Sequence, residues 1–185
     1  VELGSNDGIL LRALRNAGMR PLGIEPSANV AQVAIDDGLP TEVVFFDKAE
    51  AIALRNHYGH ADAICGANVL CHLPYLSSVL DGVTELLTED GLFIFEDPYL
   101  PNILEKAAFD QIYDEHTWYF TATAVSALAS RHDLVLVDAL PQETHGGSMR
   151  YVLAREGGVE GCGRQPGGAA AARRVLAHPR AQRER

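Results

Sequence analysis

The chain has 185 residues, 47% hydrophobic and 22% charged, a balance that describes a folded globular protein and excludes an intrinsically disordered one. No run approaches the roughly 20 apolar residues of a membrane-spanning helix, and no signal-peptide pattern opens the chain, so it reads as cytoplasmic with no membrane partner. The net charge of −10 is uneven: from Glu156 onward six arginines face three glutamates, which leaves −13 on the preceding residues. A core that acidic opposes the phosphate neutralisation behind nucleic-acid binding.

Strand and helix patterns alternate from the first residue. Val1 to Gly4 reads as the end of a buried strand, and the chain therefore reads as a fragment cut on its N-terminal side. Residues 8–17 place Ile9, Leu10, Ala13, Leu14 and Ala17 at helical spacing. A short apolar run at 21–26, ending in Glu25 and Pro26, precedes a second helix through Asp37. Strands are expected at 41–46, 62–69 and 91–96, with helices at 48–57 and 76–87 between them. Gly38, Gly59 and Gly91 punctuate these elements. Strands separated by helices of this length imply right-handed crossovers and a doubly wound, Rossmann-like α/β fold.

Past Asp97 the rhythm changes. Residues 98–120 read as a long polar and aromatic connection, followed by a helix at 122–131 and two strands at 134–139 and 149–154 that form an antiparallel pair. With the five strands before them these make seven over residues 1–155. The glycine, alanine and arginine tail at 156–185 lacks apolar periodicity and is expected to be disordered, with a short helix around 169–176.

Candidate ligand-binding residues recur after four successive strands. Glu2-Leu3-Gly4-Ser5-Asn6-Asp7-Gly8 combines a strand end, a tight turn and a helix start, where small residues let a ligand approach free backbone N–H groups. The spacing Gly4-x-x-x-Gly8 lacks the dinucleotide fingerprint, and Glu2 would repel a pyrophosphate while suiting a cationic amino-acid end. Both features favour S-adenosyl-L-methionine over NAD. Glu25 is placed to accept ribose hydroxyls, Asp47 the adenine amino group, and Ala67 and Asn68 to line the methionine end. For any one carboxylate alone, a helix cap is the competing reading.

The densest group of catalytic residue types is Tyr113-Asp114-Glu115-His116, with Trp118, Tyr119 and Phe120 behind it. Histidine titrates closest to neutral pH, and a carboxylate neighbour can orient it. A capping stretch whose aromatics pack on the sheet is the alternative. His72 follows the fourth strand, and His145-Gly146-Gly147-Ser148 links the last two strands ahead of Arg150. The other histidines, His57, His60, His132 and His178, carry no supporting context. Cys65, Cys71 and Cys162 show no CxxC spacing, so neither a metal site nor a disulfide framework is expected.

Five strings resemble the sugar C-methyltransferase family: Val1-Glu2-Leu3-Gly4-Ser5-Asn6-Asp7-Gly8, Asn68-Val69-Leu70-Cys71-His72-Leu73-Pro74, Glu96-Asp97-Pro98-Tyr99, Phe109-Asp110-Gln111-Ile112-Tyr113-Asp114-Glu115-His116 and His145-Gly146-Gly147-Ser148-Met149-Arg150. The resemblance runs in order over residues 1–155 and implies a class I methyltransferase core, with a mostly parallel seven-stranded sheet whose last strand is antiparallel. It implies S-adenosyl-L-methionine as cofactor and a nucleotide-linked deoxy-keto sugar as substrate. His116 would be the base and Glu115 its orienting partner, while Tyr113 and His72 would hold the sugar or the enolate oxygen. Tyr99 and Asn68 would line the same pocket. The family's N-terminal cysteine-built zinc domain and further C-terminal domain have no counterpart in these residues, and Asp114 stands where the family pattern has histidine. A class I O- or N-methyltransferase and a non-catalytic nucleotide-binding module are the rival readings. The oligomeric state is left open by the sequence.

Overall fold

A computed structural model describes residues 1–158. The tail expected to be disordered lies outside these residues from position 159 on, and so does His178. The elements are β1 (Glu2–Leu3), α1 (Ile9–Asn16), β2 (Gly23–Ile24), α2 (Ala28–Asp36), β3 (Thr41–Glu42), α3 (Lys48–Tyr58), β4 (Ala61–Ala67), α4 (Leu76–Leu86), β5 (Leu87–Pro98), α5 (Leu100–Lys106), α6 (Ala122–Ala129), β6 (Leu134–Gln142) and β7 (Ser148–Arg155).

The strands form one seven-stranded sheet in the order β3-β2-β1-β4-β5-β7-β6. From β3 to β5 every neighbour is parallel. The reversed strand β7 sits between β5 and β6, antiparallel to both. The order switches at β1, so the chain segments after β1 and β4 leave the same edge in opposite directions and open a crevice there.

Side-chain alternation along β5 shows how the sheet is held. Phe93 and Phe95 point to one face, where they meet Val79, Leu80 and Val83 of α4, Val125 of α6 and Tyr151 of β7. Leu92 and Ile94 point to the other face, with Cys65, Val152 and Leu10. Each fully buried Phe or Leu contributes roughly 1.5–3 kcal/mol of transfer free energy.

Boundaries differ from the sequence reading most at three places. β3 stops at Glu42, because as an edge strand it has a partner on one side only, and Phe45 beyond it is exposed. β5 starts earlier, at Leu87, and its register against β4 shifts before resuming at Leu92. The stretch 98–120 contains helix α5, which its sequence conceals: seven residues bury only Ile103, too few to display a period, while Pro101 sits in the first turn, where its missing N–H costs nothing.

Candidate functional site

The carboxyl ends of β1, β2, β4 and β5 carry the residues singled out by the sequence. Gly4 and Gly8 bracket the turn after β1 with φ of 64° and 81°. A Cβ on Gly4 would lie 2.5 Å from Val69 Cγ2, and one on Gly8 would lie 2.6 Å from Leu39 Cδ1 and 2.9 Å from Ala34 Cβ. The first glycine thus lets β1 and the loop after β4 converge, and the second lets α1 start against α2. Ser5 is buried with a hydroxyl that finds no partner among the described residues, while Asn6 and Asp7 are exposed. Glu2 lies buried in β1 directly before the turn.

Glu25 is buried at the end of β2 and ties two loops together. Its Oε2 accepts from the Asn6 N–H at 3.0 Å and its Oε1 from the Ser27 N–H at 2.9 Å, across the half-buried Pro26. A carboxylate offers about four lone-pair sites. Two therefore remain for a ligand diol, and the loop order does not depend on that ligand. Asp47 caps α3, its Oδ1 accepting from the Glu50 N–H at 2.9 Å, which is the competing cap reading realised. Its other oxygen has no hydrogen bond within the protein among the described residues. Half-buried Ala67 ends β4, and Asn68 follows in the left-handed region at φ 55°, its N–H donating to the Glu96 carbonyl at 2.7 Å.

Asn68 connects this end to the reaction end, since its Nδ2 lies 3.4 Å from His72 Nε2. His72 Nδ1 is 2.8 Å from the Glu115 carbonyl oxygen. His116 is buried, with Nδ1 2.9 Å from the Gln111 carbonyl and Nε2 2.9 Å from Tyr113 Oη. Carbonyls only accept, so both rings carry their proton on Nδ1. In each, Nε2 is the remaining nitrogen: that of His72 faces the Asn68 amide and that of His116 faces the Tyr113 hydroxyl. The two imidazole rings have centroids 4.9 Å apart.

Glu115 does not orient His116. The His116 N–H donates to the Tyr113 carbonyl at 3.1 Å, closing a turn in which residues one and four face each other. That geometry stacks the Tyr113 and His116 rings at 4.2 Å and leaves Asp114 and Glu115 exposed at the tip. The orienting acceptor is the Gln111 backbone, and Glu115 serves His72 through its own carbonyl.

Asp97, at the end of β5, is a component the sequence reading passed over. It is 1% exposed, its Oδ1 accepts from the Cys71 N–H at 3.5 Å, and its Oδ2 has no hydrogen-bond partner among the described residues. Burial pushes its carboxyl up to about 7, and burial together with this neighbouring carboxylate raises the Cys71 thiol. The visible signal was an acidic residue directly before Pro98 at a strand end. Glu96 beside it points to the opposite face, where Arg150 Nε and Nη2 donate to its Oε2 at 3.1 and 2.8 Å and Thr144 Oγ1 donates to its Oε1 at 2.8 Å. His132 pairs with Asp81 and His60 with the Leu87 carbonyl, in keeping with structural roles.

Next to the histidines, a cavity of about 560 Å³ opens between α4 and α6, lined by Pro74, Tyr75, Trp118, Tyr119, Phe120 and Arg131 among others. That volume falls in the range of small-molecule sites. Trp118 is fixed at its mouth by an Nε1–H donated to the Leu73 carbonyl at 2.8 Å. Tyr99 lies half-buried beside the site and bridges to Phe120.

Residues 1–139 match the family described as a methyltransferase domain. The chain belongs to that family. The methyltransferase is 38% identical over 149 residues to the C-methyltransferase NovU of Streptomyces niveus, an alignment that takes in 80% of this chain and 36% of that protein. It thus spans about a third of its relative's length. Among solved structures it is similar to a SAM-dependent methyltransferase of Anabaena variabilis, with a TM-score of 0.65, 13% identity and coverage of 83% and 75% of the two chains. It is likewise similar to the magnesium protoporphyrin IX methyltransferase of Synechocystis with bound SAH, with a TM-score of 0.61, 14% identity and coverage of 83% and 72%. At these identities the likeness is one of fold, and it matches the mostly parallel seven-stranded sheet.

Proposed function

We propose that this methyltransferase transfers a methyl group to the carbon next to the ketone of a nucleotide-linked deoxy-keto sugar. The observation that carries the reading is His116: a buried imidazole aimed by the Gln111 carbonyl, with Nε2 facing a phenol at the functional edge of the sheet. The similarity to a C-methyltransferase points the same way.

The donor is S-adenosyl-L-methionine, which supplies an electrophilic sulfonium methyl when bound. The crevice fits it: two glycines with no room for a Cβ, two spare lone-pair sites on Glu25, a free Asp47 oxygen, and Asn68 held out at positive φ. Glu25 would take the ribose diol and Asp47 the adenine amino group. Gly4, Ser5, Asn6, Asp7, Gly8, Ala67 and Asn68 would surround the methionine end, with Glu2 balancing the ammonium.

A ring carbon becomes nucleophilic only after losing a proton, and the adjacent ketone acidifies it. His116 Nε2 takes that proton, and the Gln111 carbonyl stabilises the imidazolium through Nδ1–H. Tyr113, displaced from His116 by substrate, donates its O–H to the enolate oxygen. His72, whose Nε2 is an acceptor, holds a sugar hydroxyl. The enolate carbon then forms the new C–C bond as the methyl–sulfur bond breaks, a step helped mainly by positioning.

The test is hydrogen exchange without methyl transfer. Incubating the chain with S-adenosylhomocysteine and a nucleotide-linked 4-keto deoxysugar in deuterium oxide should exchange the α-hydrogen, and His116→Ala should abolish it. Methyl transfer to oxygen or nitrogen that survives His116→Ala would overturn the reading.

A further inference from the structure

The reaction end of the site presents nitrogen and sulfur where a purely substrate-binding pocket would suffice with oxygen. Cys71 Sγ and one ring nitrogen each of His72 and His116 all lie within 4.8 Å of one another. Both rings spend Nδ1–H on a backbone carbonyl, of Glu115 and Gln111. This is the outer-shell arrangement that fixes the tautomer and aim of metal-ligating histidines. Beside Cys71 lies the buried Asp97, whose Oδ1 accepts from the Cys71 N–H and whose Oδ2 has no hydrogen-bond partner among the described residues.

We propose that Cys71, His72 and His116 bind a single zinc-type divalent cation, and that its binding switches the methyltransferase off. The second half rests on the role given to His116 above, because a cation on Nε2 takes the lone pair that removes the substrate proton.

The donor set selects the metal. Thiolate and imidazole suit Zn²⁺, whereas Mg²⁺ and Ca²⁺ require mostly oxygen ligands. Zinc bond lengths of about 2.0–2.3 Å place tetrahedral ligand atoms roughly 3.3–3.8 Å apart. The widest pair must therefore close by about 1 Å. His72 is half-buried and the phenol beside His116 Nε2 belongs to an exposed tyrosine, so His72 can swing inward and Tyr113 can give way to the cation. On coordination the thiol proton leaves to solvent. Three protein ligands leave a fourth position for water.

The experiment uses the chain carrying Cys162→Ser, titrated calorimetrically with Zn²⁺ in the presence and absence of S-adenosylhomocysteine, with methyl transfer followed in parallel. One Zn²⁺ per chain is expected. Cofactor-product affinity should stay unchanged, and the loss of turnover should reverse on adding a chelator. Co²⁺ in place of Zn²⁺ should give a thiolate-to-metal charge-transfer band. Cys71→Ala should keep its basal turnover, lose that band and weaken Zn²⁺ binding at least about tenfold. His72→Asn, at a half-buried position, provides a second ligand variant with the same expected loss of affinity. Absent binding, equal affinity in both variants, or activation by Zn²⁺ would overturn the proposal. Zinc binding that depends on Cys71 in a protein still active as His116→Ala would keep the metal site and remove His116 as the base. Inactive His116→Ala alongside a parent chain that binds no zinc would do the reverse.

Discussion

His72 and His116 face each other with ring centroids 4.9 Å apart, and each is aimed by a backbone carbonyl rather than by a carboxylate. A carbonyl accepts the Nδ1–H and so aims the ring, leaving Nε2 as the nitrogen that can take up a proton. His116 thereby presents Nε2 to the Tyr113 hydroxyl. Removing it should cost methyl transfer about 10²–10⁴-fold, the usual range for a general base. Glu115→Ala, whose side chain is exposed while its carbonyl survives the substitution, should cost less than about tenfold on that comparison. Steady-state kinetics of the two variants check the contrast, and equal losses would restore a direct role for the Glu115 carboxylate.

Glu25 joins the cofactor ligand set to the integrity of the loop after β1. Alanine there leaves the Asn6 and Ser27 N–H groups without their acceptor. Glutamine is no remedy, since it replaces one acceptor oxygen with an NH₂ facing a donor. Hydrogen bonds to a charged group are each worth about 1.5–3 kcal/mol. Both variants should therefore bind S-adenosylhomocysteine roughly ten- to a hundredfold more weakly by calorimetry. Unaltered affinity in either would show that the diol is held elsewhere.

Asp47 allows its two readings to be separated. Its Oδ1 caps α3, and loss of a cap costs about 1 kcal/mol. Serine caps a helix nearly as well but carries no carboxylate. Asp47→Ser should leave the melting temperature within about 2 °C, while Asp47→Ala should lower it by roughly 2–4 °C. If the remaining oxygen reads adenine, both should weaken S-adenosylhomocysteine equally. Intact affinity in Asp47→Ser would leave the residue as a cap alone.

How much of this was legible depended on whether the signal was local. Phe93 and Phe95 alternating with Leu92 and Ile94 announced β5, and Glu25 directly follows β2, because strand periodicity and strand ends are written in consecutive residues, whereas Asp47 stands past the end of β3 as the cap of α3. The role of Glu115 was misread because neighbours in sequence point apart when a turn intervenes, and the turn is closed by a single backbone bond from His116 to Tyr113. Helix α5 was hidden by its shortness. Asp97 and Cys71 meet only through the packing of β5 against the loop after β4, a relation with no sequence period.

Asp97 carries the pH dependence. Its folded value of about 7 lies above the ordinary 3.8, chiefly through burial, so between those limits the native state holds a proton the unfolded chain has released. Stability therefore falls as pH rises from about 4 to 7 and levels off above, with a ceiling of about 4 kcal/mol for a shift of that size. Asn has nearly the shape of the neutral acid and does not titrate. Asp97→Asn should match the parent below about pH 4 and become the more stable of the two by pH 8. Thermal melts of both at each pH measure the gap. A gap that narrows with rising pH would mean that Asp97 gains a compensating partner on ionisation, for which the Cys71 N–H at 3.5 Å is the nearest candidate.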